Sequence, residues 1–130
     1  MSVLTFFAFV TPQALQAQYW NLKKINNDLG LSNSAVTSIF LDSREYMWFG
    51  TWDGLNRYDG KLIKGFMPDH TVASSIGNNI IREIFEDKNN DLWIVTDKNI
   101  NKYDADAESF QVFLNSNDFF FKRERIIRSS

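Results

Sequence analysis

The sequence predicts an all-β fold, and three observations carry that prediction. One phrase is written twice. "LSNSAVTSIFLDSREYMWFGTWDGLNRYD" (31–59) lies over "IGNNIIREIFEDKNNDLWIVTDKNINKYD" (76–104) at an offset of 45 residues without a gap. Each copy consists of short runs rich in Val, Ile, Phe, Trp, Tyr and Thr, divided by Asp, Asn, Gly and Ser, which is the composition of strands and turns. The strongest runs, "MWF" and "LWIV", are apolar at consecutive positions, so both faces of their sheet must be covered. A period of about 40 to 50 residues marks either propeller blades or a helical array. No stretch within a copy keeps helical periodicity for ten residues, which leaves blades. The predicted architecture is an incomplete β-propeller of about two four-stranded antiparallel blades.

The elements follow in order. Residues 1–17 read as a signal peptide, with an apolar run from Val3 to Val10, then Pro12, then small and polar residues ending at Ala17. No Lys or Arg precedes the run. It is shorter than the roughly 20 residues a membrane-spanning helix needs. The first blade is expected over 31–75, with strands at 35–41, 46–51, 55–59 and 62–67. The second is expected over 76–120, with strands at 80–86, 91–96, 100–104 and 109–114. Residues 121–130 form a basic tail or the start of a truncated third blade. The cluster Lys122, Arg123, Arg125 and Arg128 is read as a solvated face.

Turn chemistry sets several residues apart. Asp42 and Asp87 close the first strand of each copy, where a short carboxylate accepts backbone N–H groups. Gly54 aligns with Asn99, and the exchange predicts a left-handed backbone position in both turns. Trp48 and Trp93 lie inside apolar strands and are read as packing between blades.

These residues resemble the two-component regulator propeller repeat. A blade of that family reads approximately L-S-x-N-x-V, then a strand ending in D, then L-W-x-G-T-x-x-G-L-x-x-Y-D. The first copy matches through Leu31, Ser32, Val36, Asp42, Trp48, Gly50, Thr51, Gly54, Leu55, Tyr58 and Asp59. The second keeps Asp87, Leu92, Trp93, Thr96, Tyr103 and Asp104, and places Val95 and Asn99 where the family has glycines. The segment 18–30, "QYWNLKKINNDLG", is similar to the family's lead-in strand, which closes the ring against the last blade. The resemblance implies a periplasmic sensor region of a hybrid two-component histidine kinase. It implies an oligosaccharide ligand, export through the signal peptide, and an inner-membrane anchor in the full-length relative. Kinase activity would reside in a part absent from this chain.

Closed rings need about four to eight blades, and roughly three or more repeats are needed for stability. The chain is therefore expected to be an N-terminal fragment whose partners are the remaining blades. The alternative is a stand-alone secreted binding or scaffold protein that self-associates, or a non-functional gene fragment. Catalysis is not expected. The carboxylates Asp42, Asp53, Asp59, Asp87, Asp91, Asp97 and Asp104 fall mostly at the repeat's turn positions. The chain has no Cys and a single histidine, His70, so no N/S metal site and no cofactor are expected. A net charge of -2 gives no reason to expect nucleic acid. Binding is expected at Trp52 and Asp53, where an indole could stack on a sugar ring beside a carboxylate, with Arg57 as a rim residue.

Overall fold

The structure is a computed structural model and describes residues 30–114. The expected signal peptide, residues 18–29 of the expected lead-in strand and the basic tail lie outside the described residues, as do residues 115–120. Eight strands follow one another: β1 (Val36–Leu41), β2 (Met47–Thr51), β3 (Gly54–Tyr58), β4 (Ile63–Phe66), β5 (Ile81–Glu86), β6 (Leu92–Thr96), β7 (Ile100–Asp104) and β8 (Ser109–Leu114). They form two sheets of four, β1-β2-β3-β4 and β5-β6-β7-β8, with every neighbouring pair antiparallel. No helix occurs among the described residues. Both sheets carry a register irregularity at the same repeat position, Val36/Ser38 in one and Ile81/Glu83 in the other.

The repeated aspartates explain the first hairpin of each sheet. Asp42 Oδ1 accepts the backbone N–H of Arg44 (2.9 Å) and of Tyr46 (2.8 Å). Its Oδ2 accepts the Trp48 indole N–H at 2.7 Å. Asp87 repeats the pattern with Asn89 N–H (2.8 Å), Asp91 N–H (3.1 Å) and the Trp93 indole (2.9 Å). The pair is therefore one device. The carboxylate shapes the turn and also satisfies the single polar atom of a tryptophan buried in an apolar strand. The same turns hold Glu45 (φ 69°) and Asn90 (φ 62°) in the left-handed region.

The predicted left-handed position at the second hairpin holds at Gly54 (φ 114°) and fails at Asn99, which is not among the positive-φ residues. The physical reason is a compensated exchange. In the first sheet Ser32 Oγ meets Thr51 Oγ1 at 3.0 Å and accepts from Asn56 Nδ2 at 2.8 Å. In the second sheet the equivalent of Ser32 is Gly77, and Asn99 Oδ1 takes over. It accepts from Thr96 Oγ1 and from Asn101 Nδ2, both at 2.8 Å. A Cβ on Gly77 would lie 2.4 Å from Asn99 Nδ2, so the glycine leaves the room that the asparagine fills. Asn56 and Asn101 are both fully buried. They anchor the segment before β1 and before β5 respectively, through Ser32 N–H (3.1 Å) and Gly77 N–H (2.9 Å).

The two sheets pack face to face. Their shared core joins Trp48, Leu55 and Phe66 of the first to Ile81, Ile84, Leu92, Ile94, Tyr103 and Phe110 of the second, with Ile76 from the connection. The Trp48 ring sits 4.9 Å edge-on to Tyr103 and 5.8 Å stacked on Phe66. Gly50 permits the approach, because a Cβ there would lie 2.5 Å from Ile81 Cγ2. Trp93 belongs to a smaller cluster with Val95, Ile100 and Phe85, on the other face of the second sheet. Repeat-equivalent residues show what the packing does. Ile84 is 4% exposed against the first sheet, whereas Ile39 is 61% exposed.

Candidate functional site

The antiparallel topology gives the sheets two distinct ends. The β2–β3 and β6–β7 turns share one end with the start of β5. The other four hairpins lie at the opposite end.

At the first end Trp52 is half exposed and Asp53 is partly buried. Thr51, buried beneath them, sets the turn: its hydroxyl accepts Asp53 N–H (3.1 Å) and donates to Gly54 C=O (2.9 Å). The second sheet reaches across to both candidate residues. Asn79 donates to Asp53 Oδ1 at 3.2 Å, and its carbonyl accepts Gly54 N–H at 2.7 Å. The Arg82 guanidinium lies 5.0 Å from the centroid of the Trp52 indole. Arg82 also pairs with Asp97, through Nε to Oδ1 and through Nη2 to Oδ2 at 3.1 Å. The hydrogen bond from Arg82 holds the Asp97 carboxyl below its ordinary range. The assembled surface is thus an indole, a cation and two carboxylates drawn from both sheets, with a carboxamide between them. Arg82 and Asn79 carry no signal in the first copy, where Thr37 and Ser34 stand. Their place was invisible until the sheets were docked.

Arg57 does not join this end. It pairs with Trp48 in the β2–β3 register, while Trp52 and Asp53 form the turn beyond Thr51 and Gly54. Its side chain is only 14% exposed. The guanidinium donates to Tyr103 Oη (2.8 Å) and to Glu108 Oε1 (2.7 Å), and lies 4.6 Å above the Tyr46 ring. Lys64 pairs with the other oxygen of Glu108. Hydrogen bonds from Lys64 and Arg57 hold the Glu108 carboxyl below its ordinary range. Arg57 is therefore a joint between the sheets, and the three candidate residues do not make one site.

The opposite end carries a cleft of about 400 Å³, with Arg44 on one wall and Glu86, Asp91, Lys102, Asp104 and Asp106 among the others. Lys102 pairs with Asp91 at 2.7 Å. Asp104 is occupied in its own turn, accepting Asp106 N–H (2.9 Å) and Ala107 N–H (3.1 Å). Among the described residues no group of three or more His, Cys, Asp or Glu is placed to hold a metal ion. Asp59 likewise closes its own turn, accepting Lys61 and Leu62 N–H at 2.8 Å each.

The remaining repeat residues lie where hairpins or docking need them. Tyr58 donates to Gly60 C=O at 2.8 Å. Thr96 repeats the role of Thr51, accepting Lys98 N–H (3.2 Å) and donating to Asn99 C=O (3.1 Å). Tyr103 lies in the shared core, and burial raises its phenol above the ordinary value despite the facing Arg57.

Comparison with known proteins follows this geometry. Residues 30–53 and 75–98 each match the family described as "Two component regulator propeller". No curated protein sequence matches the chain. Among solved structures, the extracellular domain of BT3049 from B. thetaiotaomicron, described as a hybrid two-component system, is similar with a TM-score of 0.64. Its identity is 31% over 73% of this chain and 14% of that one. The extracellular domain of BT4673 from the same organism appears twice. Described as a one-component system, it gives a TM-score of 0.54 at 32% identity over 64% of this chain and 13% of that one. Described as a hybrid two-component system, it gives 0.51 at 34% identity over 59% and 11%. The chain thus spans 11 to 14% of the lengths of these structures.

Proposed function

This chain carries two copies of the two-component regulator propeller repeat, and from that premise we propose that its blades belong to the extracellular sensor propeller of a two-component signalling protein. In this role the blades recognise a ligand and perform no chemistry themselves. The observation that carries the reading is the joint one: two repeat matches at the expected spacing, and likeness above 30% identity to extracellular domains of such systems. The site of action is then periplasmic, reached through residues 1–17 as a signal peptide. The kinase and membrane anchor would lie in other parts of the full-length protein.

The ligand class we propose is an oligosaccharide, met at the Trp52 end. The half-exposed indole offers an apolar face for a sugar ring. Asp53, Asn79 and Arg82 surround it with an acceptor, an amide and a cation that suit hydroxyl groups. A glycan array probed with the chain, followed by calorimetry on the best hit, tests this. An oligosaccharide that binds the native chain and at least about tenfold more weakly to Trp52→Ala supports it. Equal binding by both chains removes the site, and an array without a hit removes the ligand class.

A further inference from the structure

Positions 52 and 97 occupy the same place in the 45-residue repeat, and the backbone treats them alike. Trp52 N–H donates to Ala35 C=O at 3.3 Å, and Asp97 N–H donates to Ile80 C=O, one repeat further on, at 3.1 Å. Each turn is thereby tied to the residue that precedes the first strand of its own sheet. The two side chains differ in chemistry, yet both close on one group. Arg82 sets its guanidinium over the Trp52 indole, 5.0 Å from the ring centroid. It turns an edge to Asp97, with Nε on Oδ1 and with Nη2 on Oδ2 at 3.1 Å.

This arrangement decides what else Arg82 holds. A guanidinium is a rigid fork of five N–H donors that matches a carboxylate or a sulfate two bonds at a time. Here the fork made by Nε and Nη2 is taken by a carboxylate of the protein, and its charge is matched one for one. The Arg82 hydrogen bond, helped by the charges of Arg82 and Lys98, keeps the Asp97 carboxyl ionised at neutral pH. With 45% and 34% of their side chains exposed, Arg82 and Asp97 gain little stability from pairing. The consequence of the pair lies in binding. An acid from solution competes with a carboxylate already in place, which loses no translational freedom on pairing. It also approaches Asp53, which receives the neutral amide of Asn79 at 3.2 Å and no cation among the described residues, and like charges repel. A hydroxyl meets neither obstacle. Nη1 of Arg82 remains as a donor, Asp53 remains as an acceptor, and the indole is 49% exposed.

Resting on the ligand reading above, we propose that Asp97 is the specificity-determining residue of the Trp52 end. By claiming Arg82 for the protein it admits neutral oligosaccharides and turns away uronic and sulfated ones. Arg82 then serves as a positioning residue for the indole and as a donor to hydroxyl groups, not as an anion receptor.

Two measurements on the full chain test this, each comparing wild type with Asp97→Asn. The exchange keeps the size of the side chain and one acceptor for Arg82, and it lies at an exposed position. Circular dichroism confirms that the strands persist. The first measurement uses inorganic sulfate and no sugar. The Arg82 Nε–H resonance, identified by its loss in Arg82→Lys, is followed by NMR at constant ionic strength. Sulfate is expected to shift it in Asp97→Asn at a concentration at least about tenfold lower than in wild type. The second measurement uses an array of neutral, uronic and sulfated oligosaccharides. Wild type is expected to retain neutral ones, and Asp97→Asn to bind acidic ones at least about tenfold more tightly than wild type does. Sulfate acting equally on both chains would overturn the proposal, and so would a wild-type chain that prefers acidic oligosaccharides. Either result leaves the oligosaccharide reading intact. An array without a hit removes that reading and the sugar preference with it, while the sulfate titration still decides whether Asp97 keeps anions from Arg82.

Discussion

A single carboxylate organises each first hairpin, and its protonation should be visible in stability. Burial pushes the Asp87 carboxyl upward, but the Trp93 indole and the amides of Asn89 and Asp91 outweigh this and hold it below its ordinary value. A depressed acid stabilises the fold above its unfolded value of about 3.9, and that contribution disappears as pH falls through the folded value. Asp97 and Glu108 are depressed as well, so they add to the same acid-side loss. Melting temperature measured from about pH 6 down to about pH 2 should therefore fall less steeply in Asp87→Asn than in wild type. An unchanged slope would mean that the indole–carboxylate bond contributes nothing. The second residue-scale case is the exchange of Ser32 and Gly54 for Gly77 and Asn99. Asn99→Gly removes the shorter of the two acceptors of buried Asn101 Nδ2, leaving only the Ile94 carbonyl at 3.3 Å, and should cost about 1 to 3 kcal/mol. Gly77→Ser alone should also destabilise, by collision with Asn99. Together they rebuild the first blade's arrangement, so a double-mutant cycle in urea should show favourable coupling of about 1 kcal/mol or more. Additive effects would refute the exchange. In the sequence the aspartates were legible as turn residues, because closing a strand is a local matter. Their bond to tryptophan was not, since it requires knowing which way the indole turns. Asn99 was misread because one property of glycine, its backbone freedom, was assumed to be the one replaced. Its lack of a side chain mattered instead.

At the scale of the element, strand positions were legible to within a residue or so. β1 runs 36–41 against an expected 35–41, and β8 runs 109–114 as expected. Clustered β-branched and aromatic residues with Asp and Asn between them leave little choice of boundary. The left-handed residue of the first hairpin was less legible. Asn90 could have suggested it, but its equivalent Glu45 has no such preference. What the strands meet was also hidden. Gly50 matched the family pattern, yet only the docked sheets show that Ile81 presses against it. Gly50→Val should therefore destabilise the chain by about 1 to 3 kcal/mol through overpacking. Its mirror change, Val95→Gly, removes a buried side chain packed with Trp93, Ile100 and Phe85 and should cost about 2 kcal/mol or more by a different route, an unfilled cavity. Chemical denaturation checks both variants. A Gly50→Val chain as stable as wild type would contradict the assigned joint.

Across the whole molecule, the repeat alone was enough to foresee two blades, because a consecutive apolar run such as "LWIV" demands cover on both faces. The pairing of Arg57 with Tyr103 and Glu108, and of Arg82 with Trp52, was beyond reach. These residues lie 46, 51 and 30 positions apart in sequence and meet only once the sheets dock. That docking also divided the expected binding residues, assigning Arg57 to the joint and leaving Trp52 and Asp53 at the open end. The joint combines a continuous apolar core with polar links at both ends, so opening one sheet exposes the core of the other. Native-state hydrogen exchange of the Phe49 amide in the first sheet and the Ile94 amide in the second tests this most directly. The two should exchange with the same opening free energy and lose protection together in Gly50→Val. Separate opening energies, with one sheet remaining protected while the other exchanges, would contradict the packed pair of blades.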